Sequence, residues 1–283
     1  MRFAILGAAG QLGSDICERL GDEAIPATRA DVDLAKPTGI AAWLDSVRPD
    51  IVINCAAYNF VDRAESEPDA AFAVNAWGVR ALADACQHRG LFLVHISTDY
   101  VFGLDDQRTT PYTEADAPGP VSIYALSKLA GEHLVRALCR RHLVIRTCGL
   151  FGKHCGAKGN FVQTMLRLGA QGKTLRVVDD QICTPTSTAD LAAATVALCR
   201  SGTSGLIHYT NAGSATWCQF ARAIFELSDM RVDLQAITSE QFGAAARRPK
   251  YSVLALDRYR SLGLPEPRPW REALADYLTS GER

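Results

Sequence analysis

The sequence predicts an α/β fold, a doubly wound parallel sheet followed by a smaller C-terminal substrate lobe. Three observations carry that expectation. Short apolar runs alternate with helix-length segments, the first run ends in a glycine-rich turn that opens a helix, and the alternation loosens near residue 150. In order, Phe3 to Leu6, Ala24 to Ala27, Ile51 to Cys55, Leu91 to Ile96 and Leu143 to Arg146 read as strands. Gln11 to Leu20, Ile40 to Val47, Ala70 to His88 and Tyr124 to Arg141 carry apolar residues at three- and four-residue spacing and read as the helices between them. Such repetition implies parallel strands covered on both faces, with ligands bound beyond the C-terminal strand ends.

Residues 1–150 are therefore expected to form a first, ligand-binding domain. Residues 151–283 supply mainly the second lobe, with some segments returning to the first domain. This part reads as a glycine-rich loop, a helix near Asn160 to Gly172, a strand near Thr174 to Val178, and helices near Ser187 to Arg200, Trp217 to Ser228 and Trp270 to Thr279. Trp217, Phe220, Ile224 and Phe225 recur at helical spacing and are expected in that lobe's core. Arg136, Arg140 and Arg141 fall at the end of the Tyr124 helix, where they suit its dipole without further partners.

Composition narrows the function classes. Lys plus Arg (30) nearly balance Asp plus Glu (31), so no global field favours nucleic acid, an anionic membrane or an acidic partner, and any anion must be bound locally. Met1 leads straight into the first apolar run, so neither secretion nor a membrane span is expected, and a cytoplasmic setting is. Nine cysteines are scattered without a C-x-x-C pair, which suits reduced packing thiols. The six histidines do not cluster and no metal site is expected, His95 reading as a core or hydrogen-bonded residue. G-x-S-x-G, H-E-x-x-H and a Walker lysine are absent.

The first strand runs directly into Gly7-Ala-Ala-Gly10-Gln11-Leu12-Gly13. In that context the first glycine permits the tight turn, the second lets backbone approach a pyrophosphate, and the third allows close helix packing. The helix N-terminus adds free N–H groups and the positive end of a dipole. A Rossmann-type dinucleotide site follows from this. Where an acid would accept the ribose hydroxyls of NAD, after the second strand, stands Thr28-Arg29. Arg29 either pairs with a 2′-phosphate, which leans the cofactor toward NADPH with NADH still open, or is a solvated surface arginine. Asp33 and Leu34 sit where an adenine edge would be met.

Three further features follow later strands: Cys55-Ala56-Ala57-Tyr58, Ser97-Thr98-Asp99-Tyr100, and Tyr124-Ala-Leu-Ser-Lys128. Residues four apart share a helix face, so Tyr124 and Lys128 can both enter one crevice. A cation beside the phenol would lower its pKa toward the working range of a general acid, and Lys128 can also bond a nicotinamide ribose. Thr98 can donate to a substrate carbonyl.

With these motifs in place, the chain resembles the extended short-chain dehydrogenase/reductases, and within them the dTDP-4-dehydrorhamnose reductase family. The resemblance rests on the glycine turn, Cys55 to Tyr58 with Val61-Asp62 and Ala64-Glu65, Asn75-Ala76, Ser97 to Phe102, Pro111-Tyr112-Thr-Glu114 and Tyr124 to Glu132. It continues through Asn160 to Arg167, Asp180-Gln181, Thr184-Pro-Thr186, Arg248-Pro249 and Tyr251-Ser252, nearly the whole chain. It implies an NAD(P)H-dependent reduction of a nucleotide-linked 4-keto-6-deoxysugar, such as dTDP-4-dehydro-L-rhamnose to dTDP-L-rhamnose. It further implies Tyr124 as proton donor, Lys128 as support for Tyr124 and the ribose, Thr98 on the keto oxygen, and Asp99 on a sugar hydroxyl, with Asn75 ordering the cofactor or a structural water. Tyr100, Asn160 and Arg248 complete the substrate set, and a homodimer is an assembly to consider.

One departure bears on the sugar. Where the family has a tryptophan flanking it, this chain reads Arg146-Thr-Cys148-Gly149-Leu-Phe151, so either Phe151 or a neighbouring loop fills the space, or a different sugar is accepted. Arg247, Arg248 and Lys250 would either meet the substrate diphosphate or form a solvated loop. Sugar 4,6-dehydratases carry Asp-Glu after the threonine, and Tyr100 in place of the glutamate favours ketone reduction over elimination. Another NDP-4-keto-deoxysugar reductase, a nucleotide-sugar epimerase using the same Tyr and Lys, and a non-enzymatic NADP-binding regulatory subunit like that of methionine adenosyltransferase stay open as alternatives.

Overall fold

A computed structural model of the chain describes residues 1–155 and 159–280. Its centre is a parallel sheet containing β1 (Phe3–Leu6), β2 (Ala24–Ala27), β3 (Ile51–Asn54), β4 (Phe92–Thr98) and β5 (His142–Thr147). A sixth strand, Gly205–His208, pairs in parallel with β5, giving the spatial order Gly205–His208, β5, β4, β3, β1, β2. The four inner strands are buried along almost their whole length because both faces are covered, with polar residues gathered toward the C-terminal ends of β4 and β5. Successive side chains point to opposite faces. Phe3, Ile5, Ile53, Val94 and Ile145 join one core with Leu12, Ile16, Leu191 and Leu198, while Ala4, Leu6, Val52, Leu93 and Val144 join the other with Leu44, Leu82 and Val135. Pro26 lies in β2, at the sheet edge, where a missing N–H leaves no ladder bond broken.

The chain reverses its direction of winding between β1 and β3, which are neighbours in the sheet. The turn into α1 (Gln11–Leu20) and the segment after β3 therefore stand side by side at the C-terminal edge, where open α/β sheets bind ligands. α2 (Ile40–Val47) matches the sequence expectation. A short α3 (Val61–Ser66) comes first, and the expected helix over 70–88 is divided into α4 (Pro68–Phe72), a π-helical turn, Ala73–Gly78, and α5 (Val79–Arg89). The cause is packing. A Cβ on Gly78 would stand 2.2 Å from the Leu34 carbonyl oxygen, and one on Gly131 would stand 2.2 Å from that of Asn75, so backbone presses on backbone from both sides.

α6 (Ile123–Leu138) stops short of residue 141. Cys139 is extended, and Arg140 and Arg141 lie beyond the helix, which corrects their placement in its last turn. The Arg140 N–H donates to Gln87 Oε1 at 2.8 Å and Arg141 Nη1 to the Gly90 carbonyl at 2.6 Å, tying them to α5. The helix Thr188–Arg200 lies against α1, and its residues share the first core rather than that of the later chain. A separate core joins Phe151, Val162, Met165, Val177, Phe220, Ile224 and Leu274. The four-residue Gly205–His208 strand carries no alternation and was not expected from the sequence. Residues 156–158 of the anticipated glycine-rich loop are outside the described residues. Among the described residues no helix is long and apolar enough to cross a membrane.

Candidate active site

A cleft at the C-terminal edge of the sheet brings together Gly7, Gly10, Gln11, Leu12, Gly13, Cys55, Ala57, Ser97, Thr98, Asp99, Tyr100, Tyr124 and Lys128. Its glycine end is built by backbone. Gly7 adopts φ +78°, and a Cβ on Gly13 would fall 2.2 Å from the Gly7 carbonyl oxygen, so α1 can approach the turn only without a side chain there. No side chain caps α1 and no acid occupies its first turn, which leaves its opening N–H groups to a ligand.

The other end is built by side chains. β4 delivers Thr98 and Asp99 into the cleft, and α6, capped by Ser122, presents Tyr124 and Lys128 on one face. Lys128 Nζ donates to the Ile96 carbonyl at 2.7 Å, and burial lowers its pKa to about 8. The Tyr124 phenol moves opposite to the expectation that a neighbouring ammonium would lower it. Burial lifts its pKa to about 12, with Thr98 hydrogen bonding pulling it down and the Asp99 charge pushing it up. Lys128 is turned onto the strand backbone instead. Tyr100 meets the Tyr124 ring edge-on, centroids 6.1 Å apart.

Asp99 is the most constrained group in the cleft. Only 2% exposed, it accepts from Ser252 Oγ at 2.5 Å, Cys148 Sγ at 2.9 Å and Thr98 Oγ1 at 3.2 Å. Burial raises its pKa to about 6 against these donors. The carboxylate expected to meet a sugar hydroxyl is thus already held by protein groups, and the Thr98 hydroxyl expected on a keto oxygen lies within reach of both Asp99 and the Tyr124 phenol, to either of which it can donate its one proton. The Thr98 oxygen meanwhile accepts the Tyr100 N–H at 3.2 Å.

Several expected site residues do not line the cleft. Arg29 is exposed and pairs with Asp33 at 3.3 Å. Asp33 also accepts the Ala35 N–H at 3.0 Å, and Leu34 is buried against Gly78, so its side chain offers no adenine edge. Ala56 turns into the second sheet core. The Tyr58 phenol donates to Glu67 Oε2 at 3.0 Å, away from the cleft, because Asn75 clamps the Tyr58 backbone from both sides, at 2.9 Å each. Asn75 also donates to Ser127 Oγ at 3.0 Å, beside Lys128, which places it behind the site as a brace. Asn160 is the N-cap of Phe161–Gly169 and is fully engaged, accepting from Gln163 N at 3.0 Å and donating to Gln11 Oε1 at 3.1 Å and the Gly152 carbonyl at 2.9 Å. Arg248 is bidentate on Asp62, at 2.9 and 2.7 Å, with Arg247 paired to Asp106 at 2.8 Å. These cations stand in a depression with Lys250 and Asp180, next to the cleft rather than in it.

Sequence reasoning missed Asn59, Val61, Ile96, Thr147, Leu150 and Trp217 in the lining. Phe151 does not fill the gap at Cys148-Gly149: it is fully buried against Phe220 and Tyr277. His95 lies in the core with Nδ1 3.1 Å from Asn54 Nδ2. Asp15, Glu18 and His154 bring ligand-type atoms within 4.8 Å at the surface, where Asp15 is committed to Thr188 and the other two are exposed.

Residues 1–282 match the RmlD substrate binding domain family. The chain belongs to this family. It is 39% identical to a dTDP-4-keto-6-deoxy-D-glucose reductase of Streptomyces niveus, over 96% of this chain and 95% of that protein. It is 40% identical to a dTDP-4-dehydrorhamnose reductase of Mycolicibacterium smegmatis, over 99% and 85%. A crystal structure of the dTDP-4-dehydrorhamnose reductase of Bacillus anthracis in complex with NADP superimposes with a TM-score of 0.94 at 39% identity, covering 99% of each chain.

Proposed function

We propose that this protein transfers hydride from NADPH to C4 of a nucleotide-linked 4-keto-6-deoxysugar, with dTDP-4-dehydro-L-rhamnose as the first substrate to test. The single observation that carries the reading is the convergence of Tyr124, Lys128 and Thr98 with an uncapped glycine turn in one cleft. The named activities of relatives at about equal identity support it, since both are named as reductases of dTDP-linked 4-keto-6-deoxy sugars.

The residues present fit a dinucleotide. The Gly7 to Gly13 turn is a cradle that a Cβ would fill, and the opening N–H groups of α1 would hold the diphosphate, with Lys128 at the ribose. When bound, NADPH supplies the hydride. Tyr124, its pKa raised to about 12, keeps its proton at neutral pH and is still a stronger acid than an aliphatic alcohol. It can therefore give that proton to the oxygen as the carbonyl becomes an alkoxide. Lys128, buried, cationic below about pH 8 and turned onto the Ile96 carbonyl, would hold the nicotinamide ribose beside Tyr124 rather than lower the Tyr124 pKa. Thr98, held by Asp99, fixes the side of the cleft on which the keto oxygen sits.

The reading carries a cytoplasmic setting. It divides the chain into a cofactor half, residues 1–150 with the Thr188–His208 return, and a substrate half from the rest. The test is NADPH consumption by purified protein offered dTDP-4-dehydro-L-rhamnose and its 4-keto relatives, followed by absorbance. Oxidation that depends on the keto sugar supports the assignment. No oxidation with any 4-keto sugar nucleotide, in protein that binds the dinucleotide, would overturn it.

A further inference from the structure

Among the described residues that line the cleft, Trp217 is the one contributed from beyond residue 150. It opens the helix Trp217–Leu227, whose start is fixed by a capping box: Thr216 Oγ1 accepts the Gln219 N–H at 3.0 Å and Gln219 Oε1 accepts the Thr216 N–H at 2.9 Å. Its ring rests on Phe161, centroids 4.8 Å apart, and Phe161 follows the Asn160 cap that bonds Gln11 of the glycine turn. The indole is therefore braced. The apolar side chains that follow it, Cys218, Phe220, Ala221, Ile224 and Phe225, are buried in the core, whereas Trp217 is left partly open at the cleft. It packs against that core, as the helical spacing predicts, and also reaches the cleft.

The wall at Gly149 lacks a side chain, and its backbone explains why. Gly149 has φ +54°, and a Cβ there would lie 3.1 Å from the Thr184 carbonyl oxygen and 3.2 Å from Pro185 Cα. A bulky residue at 149 would strain both the backbone and that contact. Phe151 points into the core. The aromatic residues among the described lining are Tyr100, Tyr124 and Trp217; the tyrosines stand with the reacting groups, and the strand leading into Trp217 pairs Ala215 with Cys183, which meets Cys148 beside Gly149.

We propose that Trp217 is a specificity-determining residue whose indole packs against the apolar C–H face of the substrate hexose, doing from the second lobe what position 149 cannot. This rests on the sugar-nucleotide reading above. A 6-deoxyhexose offers an apolar face and a methyl group but few polar atoms there, the surface an aromatic ring desolvates well.

The test compares wild type, Trp217→Phe and Trp217→Ala. In Trp217→Ala, KM for the keto sugar nucleotide should rise by roughly tenfold or more, as loss of an apolar pocket wall does, with NADPH Kd within about twofold and a smaller rise in Trp217→Phe. An unchanged KM overturns the proposal. So does a weakened NADPH Kd with KM unchanged, which would make the ring a cofactor contact. Should the alanine variant fold poorly, the phenylalanine variant decides. A reduced dTDP-sugar should quench wild-type tryptophan emission, and the quench should vanish in Trp217→Phe, which keeps the other three of the four tryptophans. Quenching that persists in that variant overturns the proposal. Because the quench needs no turnover, it separates failure of this inference from failure of the reductase reading.

Discussion

The glycine turn and the Asp99 wall face each other across one cleft and are held by different means. The turn is a contact of backbone on backbone: Gly7, Gly10 and Gly13 lie within seven consecutive residues, and what matters is the absence of atoms. The wall is a contact of side chains, in which Asp99 gathers Thr98 from its own strand, Cys148 from beyond β5 and Ser252 from a loop 153 residues later. A turn of the first kind tolerates almost no added volume. A wall of the second kind tolerates replacement but shifts its electrostatics.

Gly13→Ala is the sharpest way to break the first region. The added methyl must displace the Gly7 carbonyl or push α1 off the sheet, at a cost on the order of 1–3 kcal/mol in stability and a hundredfold or more in NADPH affinity. Calorimetric titration beside a thermal melt would check both, and unchanged NADPH affinity would show that the phosphates do not use this turn.

Asp99→Asn probes the second region through pH. The carboxyl titrates near 6 in the fold, above its ordinary 3.8, so the folded protein binds the extra proton between those values and wild-type stability falls as pH rises from about 4 to 6. At about 1.4 kcal/mol per unit the wild type should lose on the order of 2–3 kcal/mol relative to Asp99→Asn between pH 4 and pH 7. Denaturant melts of both proteins at the two pH values measure it; parallel profiles would mean that Asp99 titrates as an ordinary carboxylate.

Arg29→Ala should have the smallest effect. Arg29 is mostly exposed and already shares Asp33, so its removal should reduce the preference for NADPH over NADH by no more than about tenfold and leave stability within about 0.5 kcal/mol. Initial rates with each dinucleotide give the ratio. A larger change would make Arg29 the main 2′-phosphate partner despite its exposure.

The same contrast explains what could be read from the sequence. β1, α1, α2 and the pairing of Tyr124 with Lys128 depend on neighbours at fixed short spacing, and local pattern suffices for these. The split of the 70–88 helix depends on Leu34 and Gly131, each more than forty residues from its contact, and no periodicity records that. Arg248 looked free for a diphosphate because its partner, Asp62, lies 186 positions earlier. Asn160 looked like a substrate ligand because a motif gives residue type but not whether a side chain is already spent as a helix cap. The spacing of Trp217 predicts its packing against the second-lobe core, which it makes, but its second contact with the cleft comes only from the tertiary position of the helix start.

Tyr124→Phe tests the reductase assignment most directly. The change removes one oxygen, so NADPH Kd should stay within about twofold while keto-sugar-dependent NADPH oxidation falls by roughly a hundredfold or more, the loss of a general acid. Turnover retained within a few fold of wild type would contradict the role of Tyr124 and move the proton donor elsewhere in the cleft.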